Sequence, residues 1–267
     1  MRDSRSPEGS TISPVKAAAS SRSHPAPSGL RWQRLDALRG AAIVWMVAFH
    51  FAFDLNHMGW IRPAYHFTSD ALWTTQRTCI VTLFLLCAGL GQAAALQAGQ
   101  GWPRFWRRWA QVAACAALVS AGSALMFPQS WISFGVLHGV ALMLIIVRCL
   151  PVGGAALWVL GAVALALPHG VQSPWFDHRW SNWVGLVTHK PFTEDYVPVL
   201  PWLGVMLWGL AAGQWLMARR PAWLAGSLPP GTQVLAWLGQ RPLTIYMVHQ
   251  PLLIGLLTAL QGWRPGA

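Results

Sequence analysis

Charged residues are scarce in this chain. Only 10% of its 267 residues are Asp, Glu, Lys or Arg, whereas 54% are hydrophobic, and a soluble domain carries about 25% charged residues. A water-facing surface needs more charge than this, so the composition excludes a soluble enzyme. The high apolar content also excludes a disordered chain. The composition therefore predicts a polytopic membrane protein.

The chain also lacks the residue spacings that mark common metal and cofactor sites. Its four cysteines lie in or at the ends of apolar runs and form no C-x-x-C pair; they are Cys79, Cys87, Cys115 and Cys149. That placement is typical of buried thiols and predicts neither a disulfide framework nor a zinc site. No G-x-S-x-G, P-loop or dinucleotide fingerprint is present. We therefore expect no metal and no permanently bound cofactor.

The basic residues lie between apolar segments instead of forming one basic region. The formal net charge is +11, from 19 Lys and Arg against 8 Asp and Glu. Such placement is typical of cytoplasmic loops in membrane proteins, so nucleic acid is not expected as a partner. Residues 1–30 are rich in Ser, Pro and Ala and have no apolar segment near their start. They predict a disordered cytoplasmic tail and not a signal peptide.

Seven apolar segments follow the tail and define a transmembrane domain over residues 31–267. A helix crosses a ~30 Å hydrocarbon core with about 20 residues, and continuous apolar runs favour helices over strands. A cytoplasmic N-terminus places most of the 19 Lys and Arg residues on the cytoplasmic side. We therefore predict an all-α polytopic membrane bundle of about seven transmembrane helices with a cytoplasmic N-terminus. The approximate spans are 37–56, 72–97, 109–126, 132–148, 152–168, 198–217 and 242–261.

The first segment carries its ionisable residues on one face. Projected at about 100° per residue, they fall in a stripe about 60° wide, and the rest of the helix is apolar. Lipid cannot solvate such groups, so the stripe must face other helices or a water-filled cavity. The stripe consists of Asp36, Arg39, His50, Asp54 and His57.

His50 and Asp54 are the candidate chemical groups of this stripe. Arg39 precedes His50 by about 16 Å of helix, which puts Arg39 near the cytoplasmic interface and His50 beyond the midplane. Asp54 follows His50 by one turn, within reach of its ring, and a carboxylate beside an imidazole suits general base catalysis. A His–Asp pair that only holds helices together is the alternative interpretation.

Two further histidines enter apolar segments. His138 lies at a depth similar to that of His50, so the two either share one cavity or His138 only packs helices. His249 lies about seven residues from the cytoplasmic end of the last segment, where it forms a polar patch with Tyr246 and Gln250. This patch is predicted in the inner half of the bundle. The longest outer loop, 169–197, is a candidate substrate-facing segment.

Four stretches of the chain resemble one family. From about residue 31 to 261, the chain resembles bacterial membrane proteins grouped with the catalytic domain of heparan-α-glucosaminide N-acetyltransferase. The spacing of Arg39 and His50 also resembles that of the wider transmembrane acyltransferase superfamily, which includes the acyltransferase-3 proteins. The matching stretches are RLDALRGAAIVWMVAFHFAFDLN, FGVLHGVALMLI, DYVPVLPWLGVMLWG and LGQRPLTIYMVHQPLLIGLL.

The resemblance implies a multi-pass enzyme of the bacterial inner (plasma) membrane. Such a protein takes an acetyl or acyl group from cytoplasmic acyl-CoA, its donor substrate, and passes it to a sugar, glycan or other acceptor at the outer face. Its expected partners are the lipid bilayer, acyl-CoA and the acceptor, and a homodimer is left open. His50 either deprotonates the acceptor or carries the acyl group for a time.

The resemblance also implies a division of roles along the bundle. Catalysis is expected at His50, with Asp54 orienting its ring. Acyl-CoA is expected to bind near the cytoplasmic end, at Arg39, Asp36, Arg241 and His249. The acceptor side is expected to involve His57, His138 and Asp195. The eukaryotic enzyme, as aligned, has Asn at the position of His50 and a candidate catalytic histidine in the first outer loop, so His57 and His66 stay alternatives for the catalytic histidine.

Two other functional classes fit intramembrane His and Asp residues. A proton-coupled transporter or permease uses the same residue types, although the chain shows no internal repeat of the kind that transporters often have. A non-catalytic membrane subunit would use these residues only to pack helices. Binding of acetyl-CoA separates the enzyme from the permease.

Overall fold

The computed structural model describes residues 32–262, and its regular structure there is helical apart from one isolated bridge between Phe134 and Tyr196. The all-α prediction is thus confirmed for this part of the chain, and the predicted tail over 1–30 lies outside it. Two 3-10 helices, Pro174–Asp177 and Asn182–Val184, lie in the long loop before α6. The α-helices are α1 (Gln33–His57), α2 (Ala71–Gln97), α3 (Trp102–Met126), α4 (Val136–Cys149), α5 (Ala155–Gly170), α6 (Val199–Arg219), α7 (Pro221–Ala225), α8 (Gln233–Gly239) and α9 (Pro242–Gln261).

Each of the seven predicted apolar segments overlaps one helix, although α3 begins at Trp102, before the predicted span 109–126. Five helices of the described residues are long and apolar enough to cross a membrane, namely α1, α2, α3, α6 and α9. The helices α4 and α5 are shorter, with 14 and 16 residues. The predicted span 132–148 begins too early, because the residues before Val136 form a loop that pairs with the segment preceding α6.

Five long helices and the shorter α4 contact one another in a closed ring. Within this ring α1 packs against α2 and α9, α2 against α6, α6 against α4, α4 against α3, and α3 against α9, while α5 packs on the outside of α6. The main core lies between α2, α4 and α6 and contains fully buried Leu85, Met143, Met206 and Leu210. The basal end of the bundle is the end where α1 and α9 begin, and the distal end is the end where they finish.

The short helix α8 fixes the register between α1 and α9. A Cβ atom on Gly239 would lie 1.8 Å from the carbonyl oxygen of Asp36, and one on Gly40 would lie 1.8 Å from that of Leu235. Glycine at both positions therefore permits contact between the two helix backbones. Because α9 begins three residues after α8 ends, this contact also sets the level at which α9 starts beside α1.

Two loops lock together at the distal end. The Val136 N–H, at the start of α4, donates to Asp195 Oδ2 at 2.7 Å, and this carboxylate suits the positive end of the helix dipole. The Ser130 hydroxyl donates to Glu194 Oε1 at 2.5 Å, and the Thr193 hydroxyl donates to the Trp131 carbonyl at 3.0 Å. The loop over 127–135 and the segment over 190–198 thus form one clasp above α4.

Candidate active site

Two histidine rings from different helices meet inside the bundle. The ring centroids of His50 on α1 and His249 on α9 are 4.9 Å apart, with an interplanar angle of 63°. Each histidine follows a glycine of the α1–α8 contact by ten residues, from Gly40 to His50 and from Gly239 to His249. Because the α1–α8 contact sets where α9 starts beside α1, it helps to bring the two rings to the same level.

The hydrogen bonds of the two histidines assign their tautomers. The Nδ1 atom of His50 is 3.0 Å from the Met46 carbonyl oxygen, and that of His249 is 2.7 Å from the Tyr246 carbonyl oxygen. A carbonyl oxygen only accepts, so each Nδ1 carries the proton and donates. In the neutral rings both Nε2 atoms are then left with a lone pair that can accept a proton.

The position of His249 corrects the sequence-based prediction. It was expected in the inner half, with the acyl-CoA-binding residues, because its depth was counted from the start of its own apolar segment. The structure instead places it at the level of His50 and leaves it only 9% exposed, with Nε2 buried and without a hydrogen-bond partner among the described residues. The Tyr246 ring lies beside His249, with 5.8 Å between the two ring centroids.

The predicted contact between Asp54 and the His50 ring is wrong. The side-chain amide of Gln250 donates to Asp54 Oδ1 at 2.9 Å, while the His50 Nδ1–H is already bonded to the Met46 carbonyl. Asp54 is 4% exposed, and Asp54 Oδ2 and Gln250 Oε1 are buried without partners in the part of the chain that the structure describes. Asp54 therefore ties α1 to α9 beside the histidine pair.

Arg39 lies at the basal end between α1 and α8. Its guanidinium donates to Asp36 Oδ1 at 3.1 Å and to the Gly239 carbonyl at 3.3 Å, and the Arg39 side chain is 21% exposed. Arg241, exposed at the start of α9, donates to the Trp237 carbonyl at 3.3 Å and stacks over the Trp237 ring at 4.4 Å. The structure thus brings three of the four predicted acyl-CoA-binding residues together around α8, and separates His249 from them.

A further basal arginine, Arg148, was not among the site residues predicted from the sequence. Arg148 on α4 donates to the Gln100 carbonyl and stacks over Trp102 and Phe105 at 5.1 and 5.6 Å. It closes the α2–α3 loop against the end of α4. The signal available in the sequence was an isolated basic residue at the end of a strongly apolar segment.

The distal candidates are not gathered around His50. His138 donates from Nε2 to the Ser120 hydroxyl at 3.1 Å and accepts the Gly135 N–H at Nδ1 at 3.3 Å. Both ring nitrogens of His138 are therefore used to hold α3 against the start of α4. This arrangement matches the helix-packing alternative for His138 and not a cavity shared with His50. His57 and His66 are exposed at the distal end, and His57 stacks on Phe53.

Asp195 has basic neighbours that the sequence did not link to it. Burial of its carboxyl group raises the pKa of Asp195, and the Val136 N–H and the charges of Arg77 and Lys190 act in the opposite direction. The charge of Asp195 also acts on the Tyr246 hydroxyl.

A hollow of about 230 Å³ opens between the distal loops. Arg179 stacks over the Trp131 ring at 4.9 Å, and buried Asn182 has an Oδ1 without a partner among the described residues. The hollow lies in the loop that the sequence marked as substrate-facing. Its lining includes Trp131, Asp177, Arg179, Asn182, His189 and Phe192.

One wall of this hollow should loosen at low pH. The Thr188 N–H and hydroxyl donate to Asp177 at 2.7 and 2.6 Å, and the Thr188 hydroxyl, with the other donors, lowers the pKa of Asp177. The folded loop thus favours the charged carboxylate, so the stabilisation is complete above about pH 4 and is lost as pH falls through the lowered pKa. We expect limited proteolysis of the 171–198 loop to accelerate only below that pH.

The matched variant for this pH effect is Asp177→Asn. It cannot ionise, so its proteolysis rate should be higher at neutral pH and independent of pH across the same range. Equal pH dependence in the variant and the parent chain would contradict the assignment to Asp177.

One comparison with known proteins identifies a relationship. The family model described as "Heparan-alpha-glucosaminide N-acetyltransferase, catalytic" matches residues 31–251, which is most of the chain and includes both histidines of the pair. No curated protein matches the chain. No solved structure matches it either.

Proposed function

We propose that this chain, which belongs to the heparan-alpha-glucosaminide N-acetyltransferase catalytic-domain family, transfers an acetyl or acyl group from acyl-CoA to a sugar or other acceptor across a membrane. Membership of this family supports acetyl transfer by a membrane protein. The acyl-CoA donor, the acceptor and the inner-membrane location are proposed in addition. The observation that carries it is the pair of imidazoles on α1 and α9, half-buried His50 and buried His249, each with its Nε2 free to accept a proton.

His50 is proposed as the general base of the transfer. Its Nε2 removes a proton from the acceptor hydroxyl or amine while that oxygen or nitrogen attacks the thioester carbonyl carbon. The carbon–sulfur bond then breaks, and CoA leaves as a thiol after taking up a proton. The Met46 carbonyl, by holding Nδ1–H, keeps the basic nitrogen available for this step.

Asp54 has a different role in this proposal from the one expected from the sequence. Its bond to Gln250 holds α9 against α1 at the level of the rings, so Asp54 is a positioning residue. A carboxylate that lost Gln250 would be left with both oxygens unpartnered in a buried site, which is unfavourable.

The basal end is proposed as the donor site. Arg39 and Arg241 flank α8 at the basal end, and Arg39 precedes His50 by about 16 Å of helix. Asp36 now accepts from Arg39, so a CoA phosphate would exchange with this carboxylate. Arginine forks suit phosphate oxygens, and charge-assisted bonds of this kind are the stronger class.

The distal end is proposed as the acceptor side. Asp195 and His138 hold the loops that frame the hollow, and exposed His57 lies at the end of α1. The hollow offers an aromatic ring, a guanidinium and a buried amide to an incoming sugar. Its volume of about 230 Å³ suits a small polar group and not a large apolar ligand.

The experiment that tests the function is acetyl-CoA binding and turnover by detergent-purified protein. Calorimetry should detect acetyl-CoA binding, and release of CoA thiol should depend on added acceptor. A transporter or a packing subunit predicts no acetyl-CoA binding. That result would overturn the proposal.

The donor site has its own expected result. Arg39→Gln should weaken acetyl-CoA binding about 10- to 100-fold, because a hydrogen bond to a charged group contributes about 1.5–3 kcal/mol. The rate at saturating donor should change far less, since Arg39 is remote from the thioester.

Arg220→Gln is the control for Arg39→Gln. It removes the same charge from an exposed basal position and should leave the Kd unchanged. Equal weakening in both variants would show that only the overall basal charge matters and would exclude a specific phosphate site at Arg39.

A further inference from the structure

We propose that His249 is a second catalytic residue, which shares one proton with His50 and delivers it to the sulfur of the departing CoA. The proton sharing concerns only the two imidazoles. The delivery step rests on the function proposed above.

The pair is built to hold one extra proton. Both Nδ1–H groups are committed to backbone carbonyls, so each neutral ring offers a lone pair at Nε2. Two such acceptors cannot hydrogen-bond to each other, whereas one added proton converts them into a donor and an acceptor. With ring centroids 4.9 Å apart, a proton on either ring is felt by the other, and the two titrate as a coupled unit.

The surroundings of the pair favour a proton or a ligand at His249. Its Nε2 is buried and has no partner among the described residues, and native structures rarely leave such an atom unmatched. Among the described residues, the titratable groups beside the pair include Asp54, one turn further along α1, and Tyr246, one turn earlier on α9. The charge of His57 acts on Asp54, and that of Asp195 acts on Tyr246. Asp54 Oδ2 is also unpartnered there, so the site can balance a positive charge.

The shared proton connects the two proton transfers of the acyl transfer, uptake from the acceptor and delivery to the CoA sulfur. His50 Nε2 takes the proton of the acceptor as the new carbon–oxygen or carbon–nitrogen bond forms. When the tetrahedral intermediate collapses, the carbon–sulfur bond breaks and its electron pair stays on sulfur. The proton that His50 Nε2 took up passes to His249 Nε2, and His249 Nε2–H gives it to that sulfur, so that the pair returns to two neutral rings. One proton enters from the acceptor and one leaves with CoA, so no other reactant is needed.

The first test does not depend on turnover. We expect nitrogen NMR of ¹⁵N-histidine-labelled protein in detergent to show the His50 ring titrating in two separate steps. In His249→Asn, whose amide can keep the bond to the Tyr246 carbonyl, His50 should titrate in one step. His169→Gln, at an exposed position on α5, should keep both steps. An unchanged His50 titration in His249→Asn would overturn the sharing.

The second test uses the leaving group. His249→Asn and His249→Gln should lower kcat with acetyl-CoA about 10²- to 10⁴-fold, with little change in KM. An acetyl aryl thioester, whose thiolate leaves without a proton, should restore most of the rate in these variants but not in His50→Ala. Equal losses with both donors would overturn the delivery step. If the parent chain turned over neither donor, the proposed function would fail while the NMR result would still decide the pairing.

Discussion

Acyl transfer from acetyl-CoA should fall about 10²- to 10⁴-fold in His50→Ala, and this loss should persist with an acetyl aryl thioester as donor. The variant removes the Nε2 atom that accepts the acceptor's proton and leaves the Met46 carbonyl with its ordinary helical role. Donor binding at the basal end should persist, because Arg39 and Arg241 are untouched. The measurement is CoA release at saturating donor, beside calorimetric Kd for acetyl-CoA.

His57→Ala and His66→Ala are the comparisons that decide which histidine acts. Both side chains are exposed at the distal end, and neither ring contacts the His50–His249 pair, so each variant should keep most of the rate. A full loss in one of them, with His50→Ala active, would move the catalytic assignment to the first distal loop.

Stability should respond most strongly at the α1–α8 contact. Gly239→Ala would place a Cβ atom 1.8 Å from the Asp36 carbonyl oxygen, and backbone has to shift to admit it. Overpacking of this kind costs about 1–3 kcal/mol, and the shift would also move the Gly239 carbonyl that accepts from Arg39. We expect a lower thermal midpoint in detergent together with weaker acetyl-CoA binding.

Gly122→Ala provides the matched control for Gly239→Ala. Gly122 lies in α3, and a Cβ atom there would meet nothing within 4 Å, so the same change should leave the midpoint equal or slightly higher. If Gly239→Ala unfolded at the same temperature as Gly122→Ala, the contact between α1 and α8 would not be the close one described.

The sequence was sufficient for the helices because each apolar segment carries its own signal. It also found the polar stripe of α1, since His50, Asp54 and Arg39 lie on one helix and their spacing fixes their faces. It missed α8, whose seven residues are too few to show a period. Without α8 there is no common starting level for α1 and α9, and the depth of His249 was therefore misjudged.

The partner of Asp54 could not be found from spacing alone. A carboxylate one turn from an imidazole can reach it, but Gln250 on another helix competes for the same oxygen, and the Met46 carbonyl competes for the same ring proton. Which bond forms depends on how α9 packs. The paired role of His138 with Ser120 has the same origin, because Ser120 belongs to a different helix.

The shortness of α4 has a consequence for any group that moves between the two faces. Its 14 residues rise about 21 Å, some 9 Å less than a ~30 Å hydrocarbon layer. The clasp that completes this side of the bundle offers hydroxyls, carboxylates and peptide groups where a longer helix would offer only aliphatic surface. The apolar layer beside α4 is therefore thinner than elsewhere in the bundle, and under the proposed function the acyl group has a shorter apolar path to cross.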